Sequence, residues 1–207
     1  MHKESIILVG GGGHAKACID VILSTSKFNI KGYIDIKETL NAKYNIPYLG
    51  DDSNINQYIS SSSFLITVGQ IQSPSIRVNL YNKLKALKAN LPVIISSNAH
   101  VSPNASISEG TIIMHGAIVQ FNAKIGVNCI INDRALIEHD AIVGNHCHIS
   151  TAAVLNGEVT VHDNVFVGSG SVIKNGLTIS ENVIIGSGSN IINNIEKNSK
   201  VFGNPAK

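Results

Sequence analysis

The chain has 207 residues, enough for one large domain or two small ones, and 43% of them are hydrophobic. Charged residues reach only 14% and aromatics 5%, with no Trp, so large aromatic packing does not organise the interior. A net charge of +2 without a long basic run argues against a nucleic-acid groove or a membrane anchor, and no stretch approaches the roughly 18 apolar residues of a membrane span. The opening Met1-His2-Lys3-Glu4-Ser5 lacks a signal-peptide pattern. Three cysteines, Cys18, Cys129 and Cys147, make neither a disulfide framework nor a Cys-x-x-Cys pair. A cytoplasmic protein is expected.

In chain order, Ile6 to Val9 reads as a buried strand that ends in the turn Gly10-Gly11-Gly12-Gly13. A helix from His14 to about Ser24 follows, with Ala15, Cys18, Ile19 and Ile22 at helical spacing. Ile30 to Ile34 is a second strand ending at Asp35, and Phe64 to Val68 a third ending at Gly69. A second helix spans Ser75 to about Leu87, its apolar face supplied by Ile76, Val78, Leu80, Leu84 and Leu87. Strands alternating with helices imply a small Rossmann-like α/β domain with a parallel sheet over residues 1–93. The segment from Lys37 to Ser63 gives no clear element.

From Ile95 a different rule takes over. Every sixth residue from Val101 through Ile107, Ile113, Val119 and onward to Ile185 and Ile191 is Val, Ile or Leu. The position four residues later is mostly small, as at Ala105, Ala117, Ala123, Cys129, Ala135, Ala141, Cys147 and Ala153. Such a hexapeptide repeat builds a parallel β-helix of three short strands per triangular turn, about five turns here over residues 94–207. Cys129 and Cys147 then stack as small core residues. Gly126, Asn128, Gly144, Gly168, Gly170, Gly186 and Gly188 fall where corners demand unusual backbone angles.

A Gly-rich α/β unit followed by hexapeptide repeats resembles the PglD/NeuD group of bacterial sugar acyltransferases. The resemblance covers nearly the whole chain. It rests on Leu136-Ile137-Glu138-His139-Asp140 with His148-Ile149-Ser150, and on Val9 to His14, Val68-Gly69 with Arg77 downstream, and the terminal Phe202-Gly203-Asn204-Pro205-Ala206-Lys207. It implies a left-handed β-helix, a homotrimer with active sites between subunits, and acetyl-CoA lying along the outside of the helix. It also implies a nucleotide-sugar or sugar substrate bound by residues 1–93.

His139 falls two residues after the inward Ile137, at a corner, so it projects outward as the candidate catalytic base, with Asp140 to orient its ring or stabilise its charged form. One turn later Gly157 leaves open space where a ligand chain can pass. The resemblance places His148 near the acetyl group, where it would hydrogen-bond the thioester carbonyl, and Pro205 at the adenine end. Ser169 and Ser187, in stacked Gly-Ser-Gly corners, offer backbone groups to a pantetheine arm or simply turn the chain. His115, His146 and His162 read as solvated corners, and no histidine pattern makes a metal site.

Gly10, Gly12 and Ala15 form a GxGxxA pattern with Asp35 downstream, which alone suggests a nicotinamide dinucleotide. The domain is too small for the full doubly wound fold, and the same helix N-terminus serves a nucleotide-sugar diphosphate or a sugar carboxylate. Gly12, Gly13, His14 and Asp35, with Gly69 lining the pocket, are therefore assigned to substrate; a merely tight turn is the alternative. The expected activity is acetyl-CoA-dependent N-acetylation of a UDP-4-amino-4,6-dideoxy sugar. The alternatives are O-acetylation of a sialic acid, to which Leu155-Asn156-Gly157-Glu158-Val159 looks closer, and a non-catalytic nucleotide-sugar scaffold.

Overall fold

The computed structural model describes residues 3–40 and 44–207; Met1 and His2 of the opening segment lie outside them. Three parallel strands, β1 (Glu4–Val9), β2 (Phe28–Ile34) and β3 (Ser63–Ile66), form a sheet in the order β2-β1-β3. The central strand is buried from Ile6 to Val9, as a parallel sheet covered on both faces requires. Helix α1 (Gly13–Thr25) buries Ala15, Cys18, Ile19 and Ile22, the predicted stripe, and Val21 beside it.

Strand β3 is shorter than predicted. The strand ends at Ile66, although the Thr67 N–H still donates to the Val9 carbonyl at 2.8 Å and its hydroxyl donates to the Gly10 carbonyl over 2.5 Å. Gly10 is confined to glycine there: its φ is +109°, and a Cβ would stand 2.6 Å from the Val68 side chain. The unassigned stretch before β3 holds a 3₁₀ helix, Asp52–Tyr58, capped by Asp51. Helix α2 (Ser75–Ala86) packs Leu84 and Leu80, with Leu87 just beyond it, against the core as its predicted face requires. Arg77 and Leu84 are its buried residues, whereas Ile76 is exposed.

Residues from Ile94 form a triangular solenoid of two-residue strands. Its three faces are parallel sheets of seven, six and five strands, which makes about six turns rather than the expected five. Successive turns pair in register, as in Ile112 with Ile130 and Ile130 with His148. The six-residue series points inward, and from Ile113 to Ile191 it is buried in one continuous core with its small companions. Cys129 and Cys147 belong to that core, and their thiols donate to the Gly144 and His162 carbonyls.

The corners divide their glycines into two kinds. Asn128, Gly170 and Gly188 do take the left-handed conformation, as do Asp140, His146 and Asn164. Gly126, Gly144, Gly168 and Gly186 do not; they are needed because the next turn lies too close for a Cβ. At Gly168 that atom would stand 2.4 Å from the Ser187 nitrogen.

The two halves share a core. On the seven-stranded face the outward residues Ile94, Ile112 and Ile130 pack with Ile6, Leu8, Cys18, Ile22 and Leu65 of the α/β unit. Burial of these aliphatics contributes roughly 1.5–3 kcal/mol each, enough to seat the small sheet firmly on the solenoid. His115 is no solvated corner: its Nδ1 meets Ser96 Oγ at 2.6 Å and its Nε2 meets Asp20 of α1 at 3.1 Å.

Candidate active site

The strand Leu136–Ile137 ends at the corner Glu138-His139-Asp140 on the edge between the six- and five-stranded faces. Asp140 takes the left-handed conformation with φ of 60°, which turns its carboxylate back onto the preceding ring. His139 Nδ1 lies 2.9 Å from Asp140 Oδ2, so Nδ1 carries the proton and Nε2 keeps its lone pair. Asp140 is itself held by Asn122 Nδ2 at 2.6 Å, one turn below. The His139 pKa is raised, first by the Asp140 hydrogen bond and further by the charges of Glu138 and Glu158.

Gly157 does not leave the empty space expected above His139. The imidazole itself occupies it, with Nε2 and Cε1 each 2.7 Å from where a Gly157 Cβ would stand. Glycine is therefore what permits this ring position. Beside the corner lies exposed apolar surface: Phe121, one turn below and 59% exposed, Ile142, and the outward column from Ile118 to Val172.

A second group gathers where the α/β unit meets the solenoid. His148 is 6% exposed, and its Nδ1 donates to the Gln70 carbonyl over 2.5 Å. Asn132 has its Oδ1 engaged by the Asp133 N–H, so its Nδ2, 3.3 Å from His148 Nε2, faces a lone pair. Neutral His148 thus has no N–H left for a thioester carbonyl, contrary to the contact expected of it. Burial, and then the nearby charge of Arg77, lower its pKa to about 4. The His14 ring lies 6.5 Å from that of His148, and its pKa is lowered to about 3 by burial, then by Arg77. Gly69 lies against His14 at an ordinary contact distance: a Cβ added to it would stand 3.5 Å from His14 Cβ.

The glycine turn forms a third group. Gly12 caps α1 without a side-chain bond, no acidic residue occupies the first turn, and both Gly12 and Gly13 face open space. Asp35 is largely committed to the turn: its Oδ2 accepts from the Gly11 N–H at 2.8 Å and from Thr39 Oγ1 at 3.2 Å, and its Oδ1 from the Ile36 N–H. A cavity of about 140 Å³ opens at the ends of the three strands, lined chiefly by apolar groups including Val9, Ile34, Ile36 and Ile76 with Asp35 and Asp52. Ile36 is 89% exposed at its rim.

Ser169 and Ser187 stack as predicted on the corner after the seven-stranded face, but they are less free than expected. Ser169 Oγ meets Ser150 Oγ at 2.9 Å, and the Ser169 carbonyl accepts from the Gly188 N–H. Pro205 is exposed at the far end of the solenoid, in a closing turn pinned by paired Phe202 and Lys207 backbone bonds.

Within one chain, then, the predicted residues form separate groups. His139, Asp140 and Gly157 lie together; His14, Gly69 and His148 lie together; and no contact joins the two sets among the described residues. Sequence reasoning missed Gln70 and Asn128, and misplaced His146 as a solvated corner. His146 is half-buried against Tyr81, with Asn128 Nδ2 at 3.0 Å from its Nδ1. The repeat marked Asn128 and His146 only as corners, and Gln70, after the end of β3, carried no motif at all. Among the described residues no group of His, Cys, Asp and Glu is placed to hold a metal ion, and no helix is long and apolar enough to cross a membrane.

Residues 5–84 match the family described as PglD N-terminal domain. No curated protein matches the chain. Among solved structures, PerB from Caulobacter crescentus, in complex with CoA and GDP-perosamine, is 27% identical with a TM-score of 0.91, over 98% of this chain and 96% of that one. The acetyltransferase domain of PglB from Neisseria gonorrhoeae FA1090, in complex with acetyl coenzyme A, is 25% identical with a TM-score of 0.89, over 100% and 99%. WeeI from Acinetobacter baumannii AYE shares the fold at 23% identity and a TM-score of 0.86, over 99% of each chain. Residues 5–84 thus match a PglD N-terminal domain, and the chain as a whole is similar in fold to PerB and to the acetyltransferase domain of PglB.

Proposed function

We propose that the protein is an acetyl-CoA-dependent N-acetyltransferase acting on the 4-amino group of a UDP-linked 4-amino-4,6-dideoxy sugar, with His139 as general base. The observation that carries this reading is the bare Nε2 of His139, exposed over Gly157 while Asp140 secures the other nitrogen. The likeness to PerB and PglB, whose structures hold CoA with GDP-perosamine and acetyl coenzyme A, supports both substrate classes.

In the reaction the amine nitrogen attacks the thioester carbon. His139 Nε2 takes the proton that the nitrogen loses, and Asp140 stabilises the imidazolium that forms. The tetrahedral intermediate collapses with cleavage of the carbon–sulfur bond, and the proton returns to the departing thiolate to give the amide and CoA. A backbone N–H is the fitting partner for the oxyanion, since His148 has none to give. Acetyl-CoA lies along the solenoid past His148, Gly157, Ser169 and Ser187, with its adenine end near Pro205. The open N–H groups at Gly12 and Gly13 take the nucleotide diphosphate, flanked by His14 and Gly69. Asp35 retains capacity on Oδ1 for a ribose hydroxyl, and the apolar cavity beyond it receives the nucleoside.

The exposed apolar surface beside His139 supports a homotrimer whose active sites lie between subunits. A neighbouring copy would cover Phe121 and the Ile118–Val172 column and bring its own junction residues to the His139 corner. Light scattering should then give three times the 22.0 kDa chain mass.

The test is acyl transfer read by mass spectrometry, with acetyl-CoA offered beside the UDP-amino sugar and, separately, free sialic acid. Acetylation of the amino sugar, lost in His139→Ala, is expected. Acetylation of sialic acid alone would move the protein to O-transfer, and activity unchanged in His139→Ala would remove the assigned base.

A further inference from the structure

Asn122, Asp140, Glu158 and Gly176 form one column of corner residues, each left-handed, with φ of 59°, 60°, 63° and 68°. Backbone bonds tie the turns together at this corner. The Asp140 N–H donates to the Phe121 carbonyl and the Glu158 N–H to the His139 carbonyl, both at 3.1 Å. Asn122 therefore lies directly under Asp140. Its Nδ2 donates to Asp140 Oδ1 at 2.6 Å, while Asp140 Oδ2 accepts from His139 Nδ1 at 2.9 Å. An ionised carboxylate only accepts, so the amide nitrogen of Asn122, not its oxygen, faces Asp140.

Elsewhere in the solenoid such vertical bonds join neutral amides. Asn164 Nδ2 reaches Asn182 Oδ1, and Asn182 Nδ2 reaches Asn198 Oδ1, both at 3.1 Å. Those rungs tie turn to turn. The Asn122 rung is shorter and ends on a charge, and that charge holds the ring of His139. The Asn122 bond, followed by the His139 bond, keeps the Asp140 carboxyl below its ordinary pKa. Glu158, the next residue up the column, has no N–H in its side chain to take the place of Asn122.

We propose that Asn122 is a positioning residue for His139: it fixes the plane of the Asp140 carboxylate, so that Oδ2 stays on His139 Nδ1 and Nε2 stays bare. This rests on the proposed role of His139 as general base. The terminal torsion of an aspartate is soft, so a carboxylate bonded at one oxygen swings while one bonded at both does not. Water can replace Asn122 at Oδ1, but water is not anchored to the solenoid. Without Asn122 the ring loses its Nδ1 partner for part of the time. It then populates the tautomer with the proton on Nε2, which cannot take a proton from the amine. Glu138 and Glu158 stay near His139, and Lys124 near Asp140, so the wider field is the same with or without Asn122.

The experiment uses the full chain with ¹⁵N-labelled histidine. Long-range ¹H–¹⁵N NMR reads the His139 tautomer and pKa, and the acyl-transfer assay reads kcat and KM. Above its pKa, wild-type His139 should carry its proton on Nδ1. Asn122→Gly suits the site, because Gly110, Gly116 and Gly176 hold the same corner conformation. It should mix the tautomers, lower the His139 pKa part of the way toward that of Asp140→Asn, and reduce kcat about fivefold at unchanged KM. Added to Asp140→Asn it should change nothing further, because Asn122 acts only through Asp140. Ala152 shares the conformation, so Asn122→Ala carries the test if the glycine variant does not fold.

A wild-type His139 protonated on Nε2 overturns the proposal, as does a His139 pKa that stays or rises in Asn122→Gly. A further loss of kcat in the double variant also overturns it, and so does an unchanged kcat in an enzyme that His139→Ala inactivates. The NMR needs no substrate. Full activity in His139→Ala, or no acetylation at all, would therefore count against the proposed reaction, while the tautomer still decides the role of Asn122.

Discussion

His139 and His148 sit nine positions apart in one repeat, carry their proton on the same ring nitrogen, and are tuned in opposite directions. His139 stands at an exposed corner with a carboxylate on Nδ1, and its pKa is raised. His148 lies under the α/β unit with a neutral carbonyl on Nδ1, and its pKa is lowered to about 4. A carboxylate partner in water stabilises the imidazolium, whereas a buried carbonyl cannot repay its lost hydration. The corner therefore suits the proton exchange proposed for it, and the junction suits a proton held in place.

That contrast breaks most severely at Gly157. A Gly157→Val side chain would collide with the His139 ring, whose atoms lie 2.7 Å from the Cβ position, and would push the base off its site. Displacement by about 1 Å costs on the order of 100-fold in rate, so kcat should fall by about that factor while the solenoid still folds, as circular dichroism would check. A kcat within threefold of wild type would mean that His139 is not poised by this contact.

Asp140→Asn sharpens the comparison with a smaller effect. Asparagine tolerates the left-handed backbone but removes the charge that raises the His139 pKa. The base works only when deprotonated, so the wild-type rate should climb with pH through a value above that of ordinary imidazole. In the variant the climb should move to lower pH, with a plateau roughly tenfold lower because the ring is held less firmly. A limb that stays in place or moves to higher pH would contradict the assigned pairing.

A last effect, which leaves the chemistry at neutral pH untouched, concerns stability. His14 and His148 have folded pKa values of about 3 and about 4 against an ordinary 6.5. As pH falls below 6.5 the unfolded chain takes up these protons first, so stability present at neutral pH is lost progressively toward pH 4. The loss is a few kcal/mol on the order-of-magnitude scale of such shifts. Urea unfolding followed from pH 7 to 4 should show it, with a shallower slope in His148→Phe. An equal slope in the variant would place the acid sensitivity elsewhere.

Much of the fold was legible because its signals are periodic. The six-residue series announces a solenoid, since each aliphatic meets its copy in the next turn and any slip would turn it outward. The outward position of His139 follows from the same count. The number of turns was underestimated, and so was the reason for Gly126, Gly144, Gly168 and Gly186. Composition marks a glycine, but whether φ or a neighbouring turn demands it depends on the stacking above. The burial of Arg77 on α2 was missed for a related reason: it looks like a surface residue until the Ile66 and Val68 carbonyls make a seat for it.

The sequence by itself determined two halves, an inward row of branched aliphatics, the glycine turn before α1, and an acid next to an outward histidine. These are local patterns, set by backbone geometry within a few residues. Only the tertiary structure decided that the halves share a core, that His14, Gln70, Arg77 and His148 converge, and that His139 fills the space over Gly157. Burial and charge at those places come from residues far apart in the chain, which the α/β unit brings together by covering one face of the solenoid and leaving the His139 corner exposed.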